Sequence, residues 1–277
     1  MAGTLRRAGF DLVLWNRDTD KSDRLASELG VGVADTPAEA ASRTDIILTS
    51  LADDVAVELV YLGPEGIVHG IRSDGIAVET STIDPETVMR VGAEVDAVAA
   101  GFLDCPVSGS VSTVEQGTLT IMVGGDSGIL DRVRPVLDAL AAKVVHAGDR
   151  GAGAVTKLAV NGLVHGLNVA LSEAVVLAER AGVDRATAYE VFASGAGGAP
   201  FVTYKRDAFL NPDATPVAFS LDLVAKDLEL ITGLGHRVGA PMRQAETGLD
   251  IVNDAIGAGL GDADLSAVAV YLRRENE

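Results

Sequence analysis

Apolar residues follow two different rhythms along this chain. Up to about residue 150 they come in short runs closed by polar or glycine-containing clusters. Leu12–Trp15, Val31–Val33, Asp45–Ser50, Gly75–Glu79, Phe102–Asp104, Leu119–Val123 and Val144–His146 read as strands. The runs within Asp45–Ser50 and Gly75–Glu79 do not alternate, as in strands buried on both faces of a parallel sheet. Helical segments fall between them. Met1–Ala8 reads as a helix already under way, closed by Gly9. Thr19–Leu29 has Asp18 as N-cap and Gly30 as C-cap. Thr36-Pro37 starts a further helix with proline in its first turn, and another follows Gly124-Gly125-Asp126. A loop is predicted from Cys105 to Ser112. Strands alternating with helices predict a doubly wound α/β sheet.

After Gly153 the strand signals stop. The pattern predicts a long helix to about Ala181, then Arg185–Ala193, Leu221–Leu234 and Met242–Ile256, with Asp184 capping the second and Pro241 opening the last. The change of rhythm in Gly148–Gly153 divides the chain into an α/β domain, 1–149, and an all-α domain, 150–277. The long helix is apolar on nearly every side, which marks a buried element. Yet Lys157, Asn161, His165, Asn168 and Ser172 share one narrow stripe at about 100° per residue. Such a stripe either satisfies its neighbours or lines a wet cleft.

Bulk properties narrow the function. A chain of 277 residues with 48% hydrophobic content supports two folded domains. A formal charge of -18 argues against nucleic-acid and anionic-membrane partners. The single cysteine, Cys105, excludes an intrachain disulfide framework or a multi-cysteine zinc site, which fits a reducing cytoplasm; at a strand end it reads as a small hydrophobe. The long helix carries Lys157, His165 and Glu173, so it reads as soluble core rather than a membrane span.

Polar residues gather at the carboxyl ends of the predicted strands: Asn16-Arg17, Thr49-Ser50 with Leu51, Thr80-Ser81-Thr82, and Ser108-Gly109-Ser110. Doubly wound sheets bind ligands there, so the four clusters predict one crevice. Dinucleotide-binding sheets of the NAD type end their second strand in a carboxylate. Asn16 followed by Arg17 favours a 2′-phosphate instead, hence NADP, with NAD possible. Asn16, Arg17, Ser50 and Leu51 are therefore cofactor-binding candidates. The glycine-rich phosphate turn belongs about 20 residues earlier, and no G-x-G-x-x-G precedes residue 16. Ser108, Gly109 and Ser110 could hold a carboxylate through N–H and hydroxyl groups. Lys157 could exchange a proton if burial lowered its pKa. The pair Lys226-Asp227, with Phe219 shortly before it, reads by itself as a solvated ion pair.

Assembled, these residues resemble the β-hydroxyacid dehydrogenase family, which includes 3-hydroxyisobutyrate dehydrogenases and glyoxylate/succinic semialdehyde reductases. Asp-Cys-Pro-Val-Ser-Gly-Ser at 104–110 resembles the family's Asp-Ala-Pro-Val-Ser-Gly-Gly, with Gly-Thr-Leu following at 117–119. Gly-x-Gly-x-x-x-Lys-x-x-x-Asn at 151–161 matches the catalytic signature, and Ser81–Pro85 and Lys226-Asp227 match further positions. The resemblance spans essentially the whole chain. It implies a Rossmann domain, a long interdomain helix and a helical domain that dimerises, giving a homodimer or tetramer. It implies hydride transfer between NADP(H) and a small carboxylate-bearing semialdehyde or hydroxyacid. Lys157 is then the proton donor or acceptor, and Asn161 orients substrate. Ser108, Gly109 and Ser110 bind the substrate carboxylate, Thr82 sits near substrate and nicotinamide, Phe219 and Asp227 shape the site, and Lys226 lies near the cofactor. No metal is implied.

Two departures stand out. Cys105 and Ser110 replace Ala and Gly in the loop, which bears on substrate size. The family's first strand and glycine-rich turn, roughly a dozen residues, have no counterpart before Met1-Ala2. The expectation is an N-terminally truncated chain whose missing central strand leaves a cleft between its neighbours. Two other readings are an imine reductase of the same architecture, which usually lacks the lysine, and a non-catalytic dimeric scaffold, which has no need of Lys157, Asn161 and Ser108.

Overall fold

The computed structural model describes residues 1–274; residues 275–277, the end of the expected helical domain, lie outside the described residues. The chain forms two compact units, Met1–Lys157 and Leu158–Glu277. In the first, the strands are β1 (Val13–Leu14), β2 (Gly32–Val33), β3 (Ile46–Thr49), β4 (Ile76–Glu79), β5 (Gly101–Asp104), β6 (Val107–Ser108), β7 (Leu119–Gly124) and β8 (Ala141–Gly148). The helices are α1 (Ala2–Arg7), α2 (Thr19–Leu29), α3 (Pro37–Ser42), α4 (Asp54–Leu62), α5 (Pro85–Ala97), α6 (Val111–Glu115) and α7 (Ser127–Leu140). A long helix, α8 (Ala152–Arg180), links the two units.

The stop and start signals act locally as their chemistry dictates. Gly30 closes α2 in the left-handed region, at φ 65° and ψ 47°. Asp18 takes the N-cap position of α2, though without a side-chain bond. The Thr36 hydroxyl accepts from the Glu39 N–H at the start of α3, and the Asp126 carboxylate accepts from the Ile129 N–H at the start of α7.

The main sheet runs β3-β4-β5-β7-β6, with β8 also paired to β7. β3, β4 and β5 are parallel, in the register Ile46↔Ile76↔Gly101. Beyond β5 the direction changes. β7 is antiparallel to β5 and β6 but parallel to β8, so the sheet is mixed, with β7 and β8 running against the other four strands. The stretch expected to be a loop from Cys105 to Ser112 contains β6 and the start of α6. Two paired residues are too short a run to show a period in the sequence.

Helices cover both faces of this sheet. On one face Ala77 and Phe102 pack with Val57, Val60, Val88 and Val91. On the other, Ile76, Val78 and Leu103 pack with Leu5, Val133 and Leu137. Neighbouring residues of β4 thus serve opposite cores, which is the period of a strand. β1 and β2 form a separate parallel pair. Among the described residues, neither β1 nor β3 pairs with another strand on its second edge. A cavity of about 1260 Å³ is lined by both, among them Leu12, Val13, Leu14, Ile46, Ile47 and Leu48.

The second unit is helical, as the pattern predicts: α9 (Arg185–Ser194), α10 (Pro200–Tyr204), α11 (Arg206–Leu210), α12 (Leu221–Val238), α13 (Arg243–Ala255) and α14 (Ala267–Arg274) follow α8. Its core joins Val175 of α8 to Tyr189, Phe209, Leu228, Val252 and Val268. Asp184 caps α9 through the Thr187 N–H. A buried ion pair, Lys205 Nζ to Asp264 Oδ2 at 2.7 Å, ties the turn before α14 to α10–α11.

Candidate active site

At the carboxyl end of β4 the apolar run closes on a buried carboxylate. Glu79 is 1% exposed. One carboxyl oxygen accepts from the Ser81 N–H at 2.6 Å and the other from the Thr49 hydroxyl at 2.6 Å. The Tyr61 hydroxyl lies 2.8 Å from that of Thr49. The Ser81 hydroxyl accepts from the Leu51 N–H at 2.7 Å, and Thr80 Oγ1 donates to the Thr49 carbonyl at 2.6 Å. The turns after β3 and β4 are thereby locked together, with Thr82 half-buried at the end of the second. Burial pushes the Glu79 carboxyl up, against the pull of these donors.

A second buried carboxylate ends β5. Asp104 Oδ1 accepts from the Gly151 N–H and Oδ2 from the Ala154 N–H, each at 2.9 Å. These are donors that the first turn of α8 leaves without intrahelical partners. Burial pushes the Asp104 carboxyl up, while the backbone N–H bonds oppose it. The glycines of the 151–153 motif have a structural cause. A Cβ on Gly153 would stand 2.6 Å from the Asp104 carbonyl oxygen and 2.7 Å from that of Met122. Only glycine lets this helix start so close to the strand ends. The helix carries Lys157 one turn after Ala154, half-buried.

The chain leaving β5 is pinned as well. The Cys105 N–H donates to the Glu79 carbonyl at 2.6 Å, and the Met122 N–H to that of Pro106 at 3.0 Å. Cys105 is fully buried, and burial pushes its thiol pKa well up, as for a packing residue. Ser108 pairs with Thr120 across β6 and β7. Gly109 takes φ 150°, and a Cβ there would meet Thr113 Oγ1 at 2.3 Å. Ser110 accepts from the Thr113 hydroxyl through its carbonyl at 2.7 Å.

In the second unit the polar stripe of α8 is buried and bonded. Asn161 Nδ2 donates to Asp227 Oδ2 at 2.6 Å. His165 Nε2 lies 3.4 Å from the same oxygen, and its ring stacks on Phe219 at 6.0 Å between centroids. Asn168 Nδ2 donates to the Leu265 carbonyl at 2.9 Å, and the Ser172 hydroxyl to the Asn168 carbonyl at 2.8 Å. Asp227, on α12, is fully buried, so Lys226-Asp227 is not the solvated pair that the sequence alone suggests. Lys226 Nζ lies 3.0 Å from Asp227 Oδ1. Burial by itself would raise the Asp227 pKa, but the His165 hydrogen bond and the Lys226 charge outweigh it and hold the carboxyl below its ordinary value. Phe219 is placed from behind: the Ala218 and Phe219 N–H groups point at Asp264 Oδ2, at 3.1 and 3.4 Å.

Of the four strand-end clusters, two line one cavity, and the turn after β4 is bonded to one of these. Asn16, Arg17, Ser50 and Leu51 line the cavity between β1 and β3. Thr82 and Ser108–Ser110 are not part of its lining. In the first unit the cleft has the Glu79 network at its edge, through Thr49 and Leu51. Asn16 and Arg17 in its lining could hold the ribose end of a nicotinamide dinucleotide. Among the described residues, the glycine in its lining is Gly63, at the end of α4, and no glycine-rich phosphate turn stands at its mouth.

The comparisons agree with this architecture. The family described as the NAD binding domain of 6-phosphogluconate dehydrogenase matches residues 1–148. That described as the NAD-binding domain of NADP-dependent 3-hydroxyisobutyrate dehydrogenase matches residues 151–272. The chain belongs to the β-hydroxyacid dehydrogenase family. It is similar to glyoxylate/succinic semialdehyde reductase 1 of Arabidopsis thaliana, at 31% identity over 277 residues, 99% of this chain and 95% of that protein. The crystal structure of 3-hydroxyisobutyrate dehydrogenase from Salmonella typhimurium superposes with a TM-score of 0.89 at 28% identity, covering 97% of this chain and 95% of that one. The Mycobacterium tuberculosis 3-hydroxyisobutyrate dehydrogenase with L-serine gives 0.84 at 29% identity, covering 98% and 94%. An imine reductase from Pseudomonas shares the fold at 21% identity and a TM-score of 0.63. Like its family, the chain is an NAD(P)-dependent oxidoreductase of CH–OH groups.

Within this family frame, several residues that matter were not singled out from sequence. Glu79 was visible only as the charged end of an apolar strand. Asp104 lay in a motif, but its bond to a helix start 47 residues later could not be read from that motif. Lys205 and Asp264 left no signal at all, being 59 residues apart.

Proposed function

We propose that the chain interconverts a small carboxylate-bearing β-hydroxyacid and its semialdehyde, with NADP preferred and Lys157 as the general acid and base. The observation that carries this reading is the start of α8. A buried carboxylate, a close-packed Gly153 and Gly151 at φ 89° fix the helix start, and Lys157 and Asn161 follow one turn apart on the helix. When bound, the nicotinamide supplies or accepts hydride at its C4. Lys157 Nζ gives its proton to the carbonyl oxygen during reduction and takes it back from the hydroxyl during oxidation. Asn161, held by Asp227, orients the reacting end of the substrate. Ser108, Gly109 and Ser110 hold the carboxylate, and Thr82 stands beside the reacting carbon. Phe219 shapes the substrate pocket. Asn16 and Arg17 take the ribose and its 2′-phosphate, Ser50 and Leu51 line the cofactor's path, and Lys226 adds positive charge toward it. Asn16 in place of a carboxylate, with exposed Arg17 next to it, supports NADP over NAD.

We also infer self-association. Leu163 and Leu177 are 76% and 72% exposed, and with Ala170 they fall at heptad spacing on α8. Sedimentation velocity is expected to give a dimer or tetramer, and Leu163→Glu to weaken it.

Turnover of glyoxylate, succinic semialdehyde, methylmalonate semialdehyde and tartronate semialdehyde, followed by NADPH oxidation, tests the substrate class. Lys157→Ala is expected to lower kcat by about 100-fold or more with cofactor affinity unchanged. Near-normal turnover by that variant removes Lys157 from the chemistry. Reduction of a cyclic imine that survives the substitution would favour the imine reductase reading. An absence of NADPH binding together with an absence of turnover would favour the scaffold.

A further inference from the structure

His165 belongs to the polar stripe of α8, and the proposed reaction leaves it without a role. It is 4% exposed. Packing alone is a poor account of it. Its Nδ1 is buried and has no hydrogen-bond partner among the described residues. An unpaired ring nitrogen in the interior costs free energy that a leucine at the same place would not. The contacts of the imidazole give a better account. Its Nε2 lies 3.4 Å from Asp227 Oδ2, and its ring stacks on Phe219 with centroids 6.0 Å apart and planes inclined at 29°.

Asp227 Oδ2 thus faces two residues of α8 that stand one turn apart, Asn161 at 2.6 Å and His165 at 3.4 Å. Burial works to raise the Asp227 pKa, but the His165 hydrogen bond and the Lys226 charge hold it low. Near neutral pH the group is a carboxylate, which only accepts. The proton facing it therefore sits on His165 Nε2, and the Asn161 amide turns its Nδ2 to Asp227 and its Oδ1 away. Lys226 Nζ lies 3.0 Å from the other oxygen, Oδ1 of Asp227. The rotation of the carboxylate, and with it the pose of the Asn161 amide, is set by His165 on one side and Lys226 on the other.

Phe219 is held from two directions. Asp264 accepts from the Ala218 and Phe219 N–H groups and is itself held by Lys205 Nζ. Those bonds fix the main chain and not the side-chain torsions of Phe219. The flat face of His165 restricts the ring. One imidazole therefore meets, through its edge, the carboxylate that sets Asn161 and, through its face, the ring of Phe219. All of these groups lie within the second unit.

We propose that His165 is a positioning residue that ties the Phe219 ring to the Asn161 amide through Asp227, so that the group orienting the substrate and the ring shaping its pocket are set together. The effect on turnover rests on the roles proposed above for Asn161 and Phe219; the hold on the amide does not.

Two substitutions separate the edge of the imidazole from its face. His165→Phe keeps a ring against Phe219 and removes the donor to Asp227. His165→Gln keeps a donor near the place of Nε2 and removes the ring. With the semialdehyde of the panel that is turned over fastest, His165→Phe is expected to lower kcat about tenfold with KM within about twofold. His165→Gln is expected to keep most of kcat and to raise KM about fivefold, because the ring of Phe219 is loosened. In the Asn161→Ala background, His165→Phe is expected to change kcat less than about twofold, since the group it acts through is gone.

The Asn161 side-chain amide gives a readout that needs no turnover. It is followed by NMR on the full chain without substrate and identified by its absence in Asn161→Ala. Its hydrogen exchange is expected to quicken about tenfold or more in His165→Phe and to stay slow in His165→Gln. Should His165→Phe fail to fold, His165→Leu, which fills the space without a donor, takes its place. Unchanged amide exchange in the folded donorless variant overturns the proposal, as does a fall in kcat that is equal with and without Asn161. An unchanged KM in His165→Gln overturns the tie to Phe219. Faster amide exchange with unchanged kcat upholds the hold on Asn161 and counts only against the role of Asn161 toward substrate. If the unsubstituted chain turns over none of the four semialdehydes, the proposed function fails and the amide exchange alone decides the role of His165.

Discussion

Glu79 and Asp104 in the first unit, and Asp227 and Asp264 in the second, are carboxylates with 1%, 1%, 0% and 8% of their surface exposed. Burial acts on all four in the same direction, yet the first two are pushed up and the last two held down. The difference lies in the partner. Glu79 and Asp104 are met by backbone N–H groups and a hydroxyl. Asp227 and Asp264 each have a lysine at 3.0 Å or closer. Dipoles compensate a buried charge less completely than a cation does. The first unit uses its carboxylates to set backbone, namely the turns after β3 and β4 and the first turn of α8. The second uses them to hold side chains and the segment carrying Phe219.

The largest way to break this contrast is to remove the cation. Lys205→Met leaves Asp264 charged and buried, and is expected to cost about 3–5 kcal/mol in urea unfolding. The double variant Lys205→Met with Asp264→Leu should regain part of that loss; a single-variant cost under about 1 kcal/mol would remove the ion pair's special standing. Next comes Asp104→Ala, which strips the donors of α8 of their acceptor. A loss of about 2–3 kcal/mol is expected, with about half for Asp104→Asn, which keeps one acceptor oxygen.

The pH dependence sharpens the comparison further. Asp227 and Asp264 have folded pKa values below their unfolded values near 3.9. Their stabilisation is therefore full above about pH 5 and is lost as pH falls through the folded values. Glu79 and Asp104 act in the opposite sense. As pH rises past about 4 the unfolded chain ionises first, so stability declines until the folded groups ionise too. Unfolding free energies between about pH 3 and 7 should show Asp264→Asn flattening the acid limb and Asp104→Asn removing an opposing decline. The smallest effect is expected from Glu79→Gln, within about 1 kcal/mol, because an amide fills the same space with no charge to bury. A loss of several kcal/mol would mean that the Glu79 charge itself holds the strand ends.

Legibility from sequence followed the range of the interactions. Asp184 and Gly30 were readable as caps because each acts within a few residues of itself. The stripe from Lys157 to Ser172 was readable because helical geometry places it. What the stripe bonds to was not: Asp227 lies 66 residues from Asn161, and Leu265 lies 97 from Asn168. The family signature pointed to Asn161 and Asp227 separately, without showing that one holds the other. The short β6 and the helices α10, α11 and α14 went unseen, since a few residues carry too little periodicity to stand out.

The sequence by itself determined the two rhythms, the order of strands and helices, and the single polar face of α8, because these depend on backbone sterics and local periodicity. Only the tertiary structure decided which carboxylates meet cations, that β7 runs against its neighbour β5, and that β1–β2 stands apart from β3 across an apolar gap. Those outcomes depend on which distant segments share a buried space. There the cost of an unpaired charge or backbone group is set by its neighbours in three dimensions, not by its neighbours in the chain.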